Sequence, residues 1–264
     1  IDAKKLATSM DISNDTISVV PSGVDLGEIE YKNRAGGNSI VFLGNLFFEH
    51  NEQAVRKIHK FVYPKLSKMG YKFSIIGDCP KYLKEELGNN DDFVFKGTIS
   101  DLNEAFSDAL LALAPIDGGT GMRIKILNYM AAGIPIIASS GGVSGLSGVG
   151  NIIVEDNIKK YPKLIEELAN DHERIASIGK GLRTQAESFY NWSAIANRTK
   201  DVYRKILDKP IKDKVANLHL LDKIDTKEPV WLEEAMQKKR FYARYPEIND
   251  SCVLIEGGKV HSIN

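Results

Sequence analysis

Between Leu110 and Ser139 the chain reads as a buried strand, a glycine-rich turn, an amphipathic helix, a glycine stop and a second buried strand. This order constrains the fold more than any other feature. Leu110 to Ala114 is apolar throughout, and so is Ile134 to Ala138. A strand with no polar face must be covered on both sides. Helices packed on both faces of a parallel sheet provide that cover.

The rest of the chain repeats the alternation. Ser39-Ile40-Val41-Phe42-Leu43 is a short apolar run closed by Gly44. Asn51 to Met69 has helical periodicity, with Ala54, Val55, Ile58, Phe61, Val62 and Leu66 on one face, a potential kink at Pro64 and a stop at Gly70. Lys72 to Ile76 and Phe93 to Phe95 read as further strands. Asp101 to Ser107 reads as a short helix capped by Ser100. The helix after the glycine turn is expected over about Gly121 to Ala132, with Ile124, Leu127 and Ala131 packed on the sheet. Ile152 to Val154 reads as a last strand, followed by helices near Ile158–Leu168, His172–Phe189 and Ser193–Leu207. The fold class expected is α/β, a Rossmann-like parallel sheet with helices on both faces.

Three segments are expected. Ile1-Asp2-Ala3-Lys4-Lys5-Leu6 resembles the middle of a helix, so residues 1–17 read as the remnant of a preceding domain or linker. Residues 18–208 form the Rossmann-like domain. Asp208-Lys209-Pro210 marks a boundary where charge rises and the period is lost. Residues 209–264 form an extension, with a helix at Trp231–Tyr245 and a hairpin turning on Gly257-Gly258.

Composition excludes several classes. Lys plus Arg and Asp plus Glu each number 35 in 264 residues, so no overall field points to nucleic acid. The two cysteines, Cys79 and Cys252, lie far apart and in no metal-ligand spacing, which fits a reducing compartment. The five histidines are scattered. No apolar run approaches the ~20 residues of a membrane helix. A cytoplasmic protein is expected. The cluster Lys238, Lys239, Arg240 and Arg244, with Phe241 and Tyr242, is a candidate peripheral contact with the inner face of a membrane or with a partner. Its simpler reading is a solvated helix face.

The glycine turn carries the chemistry. In an open parallel sheet, ligands bind beyond the carboxyl ends of the strands, and Asp117-Gly118-Gly119-Thr120-Gly121 lies at such an end. Glycines let the backbone approach a ligand, and helix-start amides favour an anion. Arg123 and Lys125 add charge that suits a phosphate or diphosphate. The simpler alternative is a tight turn with both cations solvated. Asn128 stands eight residues after Thr120, roughly on the same side of the helix. It could bond ligand hydroxyls or bridge a neighbouring loop. Asp117 reads more readily as a turn-ordering residue than as an acid, and Cys79 as a bystander.

Several motifs in order resemble the C-terminal, donor-binding half of retaining GT-B glycosyltransferases of the large group 1 family. Val19-Val20-Pro21-Ser22-Gly23-Val24-Asp25 resembles the interdomain segment. Phe42 to Asn51 resembles a subgroup's first strand and loop, of form F-x-G-x-L/M-x-W/Y-x-P-N. Val94 to Leu102 resembles the base-contacting strand and loop. Gly119-Thr120-Gly121-Met122-Arg123-Ile124-Lys125-Ile126-Leu127 resembles the G-T-G-x-R/K-x-K-x-L-E helix start. Gly133 to Ser139 and Phe189-Tyr190-Asn191-Trp192 match the family's next strand and its late F-x-W signature.

The resemblance implies a nucleotide-diphosphate sugar donor, a glycan or lipid-linked acceptor bound by an N-terminal domain, transfer of a hexose-type sugar with retention, no cofactor and no essential metal. It implies that Gly97, Thr98, Ile99 and Leu102 hold the base, and that Gly44 and Asn45 let the first loop approach the diphosphate. His50 falls near a phosphate-contacting Lys of relatives. The catalytic candidates are Thr120, beside the transferred sugar, and Arg123 and Lys125, which with the amides of Gly119 to Gly121 meet charge on the leaving diphosphate; Met122 is a further donor-binding residue. Thr120 and Asn128 fall at the two carboxylates of the family's Glu-x7-Glu motif. The Thr is shared by the G-T-G subgroup. The Asn departs from it: an amide can still accept and donate one hydrogen bond each to ribose hydroxyls, but without the charge-assisted bond. Two rival readings follow. One is a non-catalytic sugar-nucleotide-binding module. The other is a GT-B epimerase, against which the G-T-G-M-R-I-K and F-x-W segments speak.

Overall fold

The computed structural model describes residues 2–13, 17–88, 90–118, 124–146, 150–207, 252–256 and 259–262. They divide into two compact units. One is built from the described residues between Gly23 and Asn191, the other from those of Ile1–Ser22 and Trp192–Asn264.

The second of these contains helix α1 (Asp2–Met10) and strand β1 (Ile17–Val19) from the front of the chain. From its end come the last helix, Trp192–Leu207, and two strands, Cys252–Glu256 and Lys259–Ser262. Those two strands pair antiparallel, Glu256 opposite Lys259, which is the expected hairpin with two residues between them. The first of them also pairs antiparallel with β1, Ile17 opposite Leu254. The helix expected at Trp231–Tyr245, with its basic cluster, lies outside the described residues.

The larger unit opens with β2 (Ser39–Leu43), α2 (Glu49–Phe61), α3 (Tyr63–Leu66) and β3 (Lys72–Ile76). Then come α4 (Lys81–Leu87), β4 (Phe93–Gly97), α5 (Leu102–Ala105) and β5 (Ala109–Ala114). After these follow α6 (Ile124–Ala131), β6 (Ile136–Ala138), β7 (Ile153–Val154), α7 (Tyr161–Ala169) and α8 (His172–Gln185). The six strands form one parallel sheet in the order β4-β3-β2-β5-β6-β7. Counted from its first strand this is 3-2-1-4-5-6, the doubly wound order. The direction of winding reverses between β2 and β5. Right-handed crossovers therefore place α2 and α6 on opposite faces of the sheet.

The local reasons are plain. Strand β5 is buried at every residue, as its central place requires. Helix α2 buries Asn51, Ala54, Val55 and Ile58, a helical i, i+3, i+4, i+7 stripe. Its acids Glu49 and Glu52 fall in the first turn and His59 and Lys60 in the last, as the helix dipole favours. One core joins that stripe to Ile40, Phe42, Phe73, Ile75 and Phe93 of the sheet and to Tyr161, Ile165 and Leu168 of α7.

Three expectations change. The helix read as continuous from Asn51 to Met69 breaks at Val62, because Pro64 lacks the N–H and its ring collides with the preceding turn. The chain restarts as α3, then tightens to a 3-10 turn before Gly70. The cap of α5 is Asp101, not Ser100; its carboxylate accepts from the Asn103 amide at 2.8 Å. Ile124 is 55% exposed rather than packed on the sheet. It is the first residue of α6, at the carboxyl edge where β5 has already ended, and Ile126, Leu127 and Met130 fill the interior instead.

Candidate functional site

The winding reversal places two loops side by side: the one leaving β2 at Gly44 and the one leaving β5 at Pro115. Ligand crevices of open α/β sheets form at this switch point. Of the described residues singled out from sequence, Gly44 and Asn45 come from the first of these loops, His50 from the start of α2, Gly97, Thr98 and Ile99 from the end of β4 and the loop after it, Leu102 from the start of α5, and Lys125 and Asn128 from α6.

The first loop is tightly pinned. The Gly44 amide donates to Ile76 O at 2.8 Å, and the Leu46 amide to Asp78 O at 2.8 Å. Asn45 accepts from the Phe47 amide at 2.9 Å through its side chain, closing an Asx turn. Behind the loop sits Gly77, at φ +124°, where an added Cβ would lie 2.3 Å from Gly44 O. Only glycine fits there. His50 lies in the first turn of α2, its ring stacked on Phe48 at 5.9 Å.

Helix α6 brings Lys125 to the same place. Its ammonium donates to Asn51 Oδ1 at 2.6 Å and lies 4.4 Å from the Phe42 ring centroid. It sits so close to Gly44 that a Cβ there would be 2.7 Å from Nζ. Residues 81 apart in sequence thus form one cluster. Tyr129, fully buried in α6, reinforces the join by accepting from the Leu43 amide at 2.5 Å. Burial pushes its phenol well above the ordinary range, so it stays neutral. Asn128 lies one turn beyond Lys125 on α6, half-buried like it, at a spacing that puts the two side by side.

The loop after β4 is joined to this cluster through β3. The Gly77 amide donates to Gly97 O at 2.8 Å, and Thr98 Oγ1 donates to Asp78 Oδ1. Ile99 is half-buried beyond it, and Leu102 is the first residue of α5. Asp117 pairs with Lys57 of α2, which ties the β5 loop down. Burial raises the Cys79 thiol above its ordinary value, the direction that favours the protonated form. Among the described residues no group of His, Cys, Asp or Glu could hold a metal ion, and no helix is long and apolar enough to cross a membrane.

The structure therefore brings together Gly44, Asn45 and Lys125, with Gly97 and Thr98 joined to them through Gly77 and Asp78. Gly119, Thr120, Gly121, Met122 and Arg123 lie outside the described residues. Sequence reasoning assigned no role to Asn51, Asp78 or Tyr129. Asn51 closes the F-x-G-x-L/M-x-W/Y-x-P-N pattern, which signalled it without saying what it touches.

A doubly wound α/β domain with a lysine and a glycine loop at its switch point belongs to the nucleotide-binding class of folds. The chain belongs to the family described as "Glycosyl transferases group 1", whose model matches residues 37–171. It is 36% identical over 81 residues to spore coat protein SA of Bacillus subtilis, 29% of this chain and 22% of that protein. Its fold is similar to a glycosyltransferase from Rickettsia africae (TM-score 0.61, 14% identity, 79% of this chain and 62% of that one). It is also similar to Anabaena HepE in complex with UDP and glucose (TM-score 0.57, 12% identity, 72% and 57%). The C-terminal domain of the group 1 protein LpcC of Francisella tularensis is matched over its whole length and 64% of this chain (TM-score 0.52, 16% identity). The chain thus spans less than two thirds of the first two solved chains and under a quarter of the curated relative.

Proposed function

We propose that residues 18–208 form the donor-binding domain of a retaining glycosyltransferase of the G-T-G subgroup, which takes a hexose-type sugar from a nucleotide-diphosphate donor. The acceptor is a glycan or a lipid-linked acceptor, bound by an N-terminal domain. One observation carries the reading: the Lys125 ammonium beside Gly44 at the winding reversal of the sheet. A cation against bare backbone suits a diphosphate. HepE, a structural neighbour, was solved with UDP and glucose.

In this reading the bond between the anomeric carbon and the diphosphate oxygen breaks, and negative charge grows on the leaving diphosphate. Lys125 and Arg123, with the amides of Gly119 to Gly121, meet that charge as it develops. Thr120 lies next to the transferred sugar in this reading, and Met122 is a further donor-binding residue. Gly44, Asn45 and His50 line the phosphates. Gly97, Thr98, Ile99 and Leu102 hold the base, and Asn128 the ribose. No cofactor or metal enters.

Calorimetric titration of the chain with UDP, GDP, ADP, CDP and dTDP tests this. Binding of at least one is expected, weakened about tenfold by Lys125→Ala. Failure of all five to bind removes the donor site. Asn128 in place of a carboxylate favours a second reading, a sugar-nucleotide-binding module without turnover. Tight nucleotide binding by the intact protein with no transfer from any matched nucleotide-sugar selects that reading. The anomeric configuration of a product, read by NMR, decides retention.

A further inference from the structure

Asn51 is 5% exposed, one of few buried polar residues of the described chain, and lies in the first turn of α2. Both ends of its amide are in use. Oδ1 accepts from Lys125 Nζ at 2.6 Å, and Nδ2 donates to Asn45 O at 2.8 Å. The orientation is fixed by chemistry, since an ammonium can only donate and a backbone carbonyl can only accept. No other side chain of this size does both. Aspartate has no donor for Asn45, leucine has neither group, and glutamine is one carbon too long.

The choice of an amide also governs charge. A carboxylate at this position would neutralise the ammonium; the neutral carbonyl holds one of its protons and leaves its charge intact. The Phe42 ring, 4.4 Å from Nζ, and Gly44, with no Cβ to displace it, also face the ammonium.

We propose that Asn51 is a positioning residue that fixes the Lys125 ammonium and the Asn45 carbonyl relative to one another, and so presets the diphosphate-facing end of the site. The proposal rests on the donor-site reading for its function and on the geometry alone for its mechanism. Asn51 touches no reacting atom. It acts by adding a fixed hydrogen bond to a cation on a four-carbon stem, and a preset group loses less freedom when the ligand arrives.

Two measurements test it in the full chain. The first needs no ligand. With 13C-labelled lysine, the Lys125 ε-methylene signal is expected to be ring-current shifted by Phe42. In Asn51→Leu it should move away from that position, because the ammonium loses the bond that holds it over the ring. A shift unchanged in Asn51→Leu overturns the positioning role, whether or not any nucleotide binds.

The second is a double-mutant cycle read with the best-binding nucleoside diphosphate and its parent nucleoside. Asn51→Leu is expected to weaken the diphosphate about tenfold and the nucleoside little. In a Lys125→Ala background the same substitution should weaken the diphosphate no further. Equal losses in both backgrounds, or equal losses for nucleoside and diphosphate, mean a packing role and overturn the proposal. Loss of diphosphate binding in every variant including wild type, with the lysine signal behaving as expected, would instead retire the donor-site reading and leave the seat standing. Asn51→Gln, which keeps both groups, controls for folding; it should stay folded without restoring the lysine signal.

Discussion

The two ends of α6 treat positive charge in opposite ways. At the carboxyl end, Arg34 is 5% exposed and spends its whole fork on backbone: Nε and Nη2 donate to Ala132 O at 3.1 and 2.8 Å, and Nη1 donates to Phe106 O. Arg183 adds a bond to Ala131 O at 2.8 Å. Cations belong there, because the dipole of the helix is negative at that end and its last carbonyls need donors. At the amino end Lys125 stands in the first turn, against the dipole. The carboxyl end is built for stability. The amino end places a cation where it costs stability, an arrangement that suits the anionic ligand of the proposed donor site.

The largest expected effect breaks the stable end. Arg34→Met removes three charge-assisted bonds, leaving Ala132 O with only the long bond from the Lys32 amide at 3.4 Å and Phe106 O with the one from the Ala109 amide at 3.1 Å, and should lower unfolding free energy by about 2 kcal/mol, read as a shift in urea midpoint at constant slope. A loss below about 1 kcal/mol would mean that the guanidinium is no more than a surface cap. Burial lowers its pKa to about 10, so it is charged at neutral pH and the prediction holds there.

The second effect reverses that balance. Lys125→Ala should change stability by less than about 1 kcal/mol while weakening nucleoside diphosphate binding about tenfold. A stability loss as large as that of Arg34→Met would erase the contrast between the ends and make Lys125 a structural residue.

This contrast also explains what could be read from sequence. The strands Ser39–Leu43 and Lys72–Ile76 were legible to the residue, since apolar runs with glycine stops leave little choice. Gly44 and Lys125 were both singled out from sequence, and the structure sets them side by side. What escaped was every contact that joins distant segments. Asn51 stood in a motif, but its partner Lys125 is 74 residues away. Arg34 had no signal at all, since a lone arginine in a loop gives no hint that it will cap a helix 98 residues on. The Pro64 break was readable as a kink but not as a full stop, because where a helix restarts depends on what it then packs against. The family resemblance supplied the order of the loops, but not the seat that Asn51 makes.

A third, smaller effect probes how close the amino end is packed. Gly44→Ala places a Cβ 2.7 Å from Lys125 Nζ and 3.0 Å from the Asn51 amide. The lysine end can swing away, but buried Asn51 cannot. Diphosphate affinity should fall by about threefold to tenfold and stability by about 1 kcal/mol, measured by calorimetry and urea titration. Unchanged affinity would show that the ammonium has room to spare, and the preset seat would lose its tightest wall.

The smallest effect tests the comparison from outside both ends of α6. His59 lies two turns beyond Asn51 on α2, its ring against Tyr63 at 5.3 Å and edge-on to Phe93 at 5.0 Å. Burial lowers its pKa, opposed more weakly by a backbone hydrogen bond at Leu87 and by the charge of Glu86. A histidine that prefers to be neutral when folded gives its full contribution above its unfolded pKa of about 6.5. As pH falls through that value the unfolded chain takes up the proton first, so stability declines until the lower folded pKa is passed. Urea midpoints at pH 7.5 and 5.5 should therefore separate for the wild type, and by less for His59→Phe. An equal separation in both would place the titration elsewhere. Across the same range the Lys125 ε-methylene signal should stay fixed, since the hydrogen bonds of Asn51 at the start of α2 do not depend on the ring cluster at its end. A lysine signal that tracks the His59 titration would show the two ends of α2 to be coupled, and the amino end of α6 would then inherit a pH dependence that its own seat does not supply.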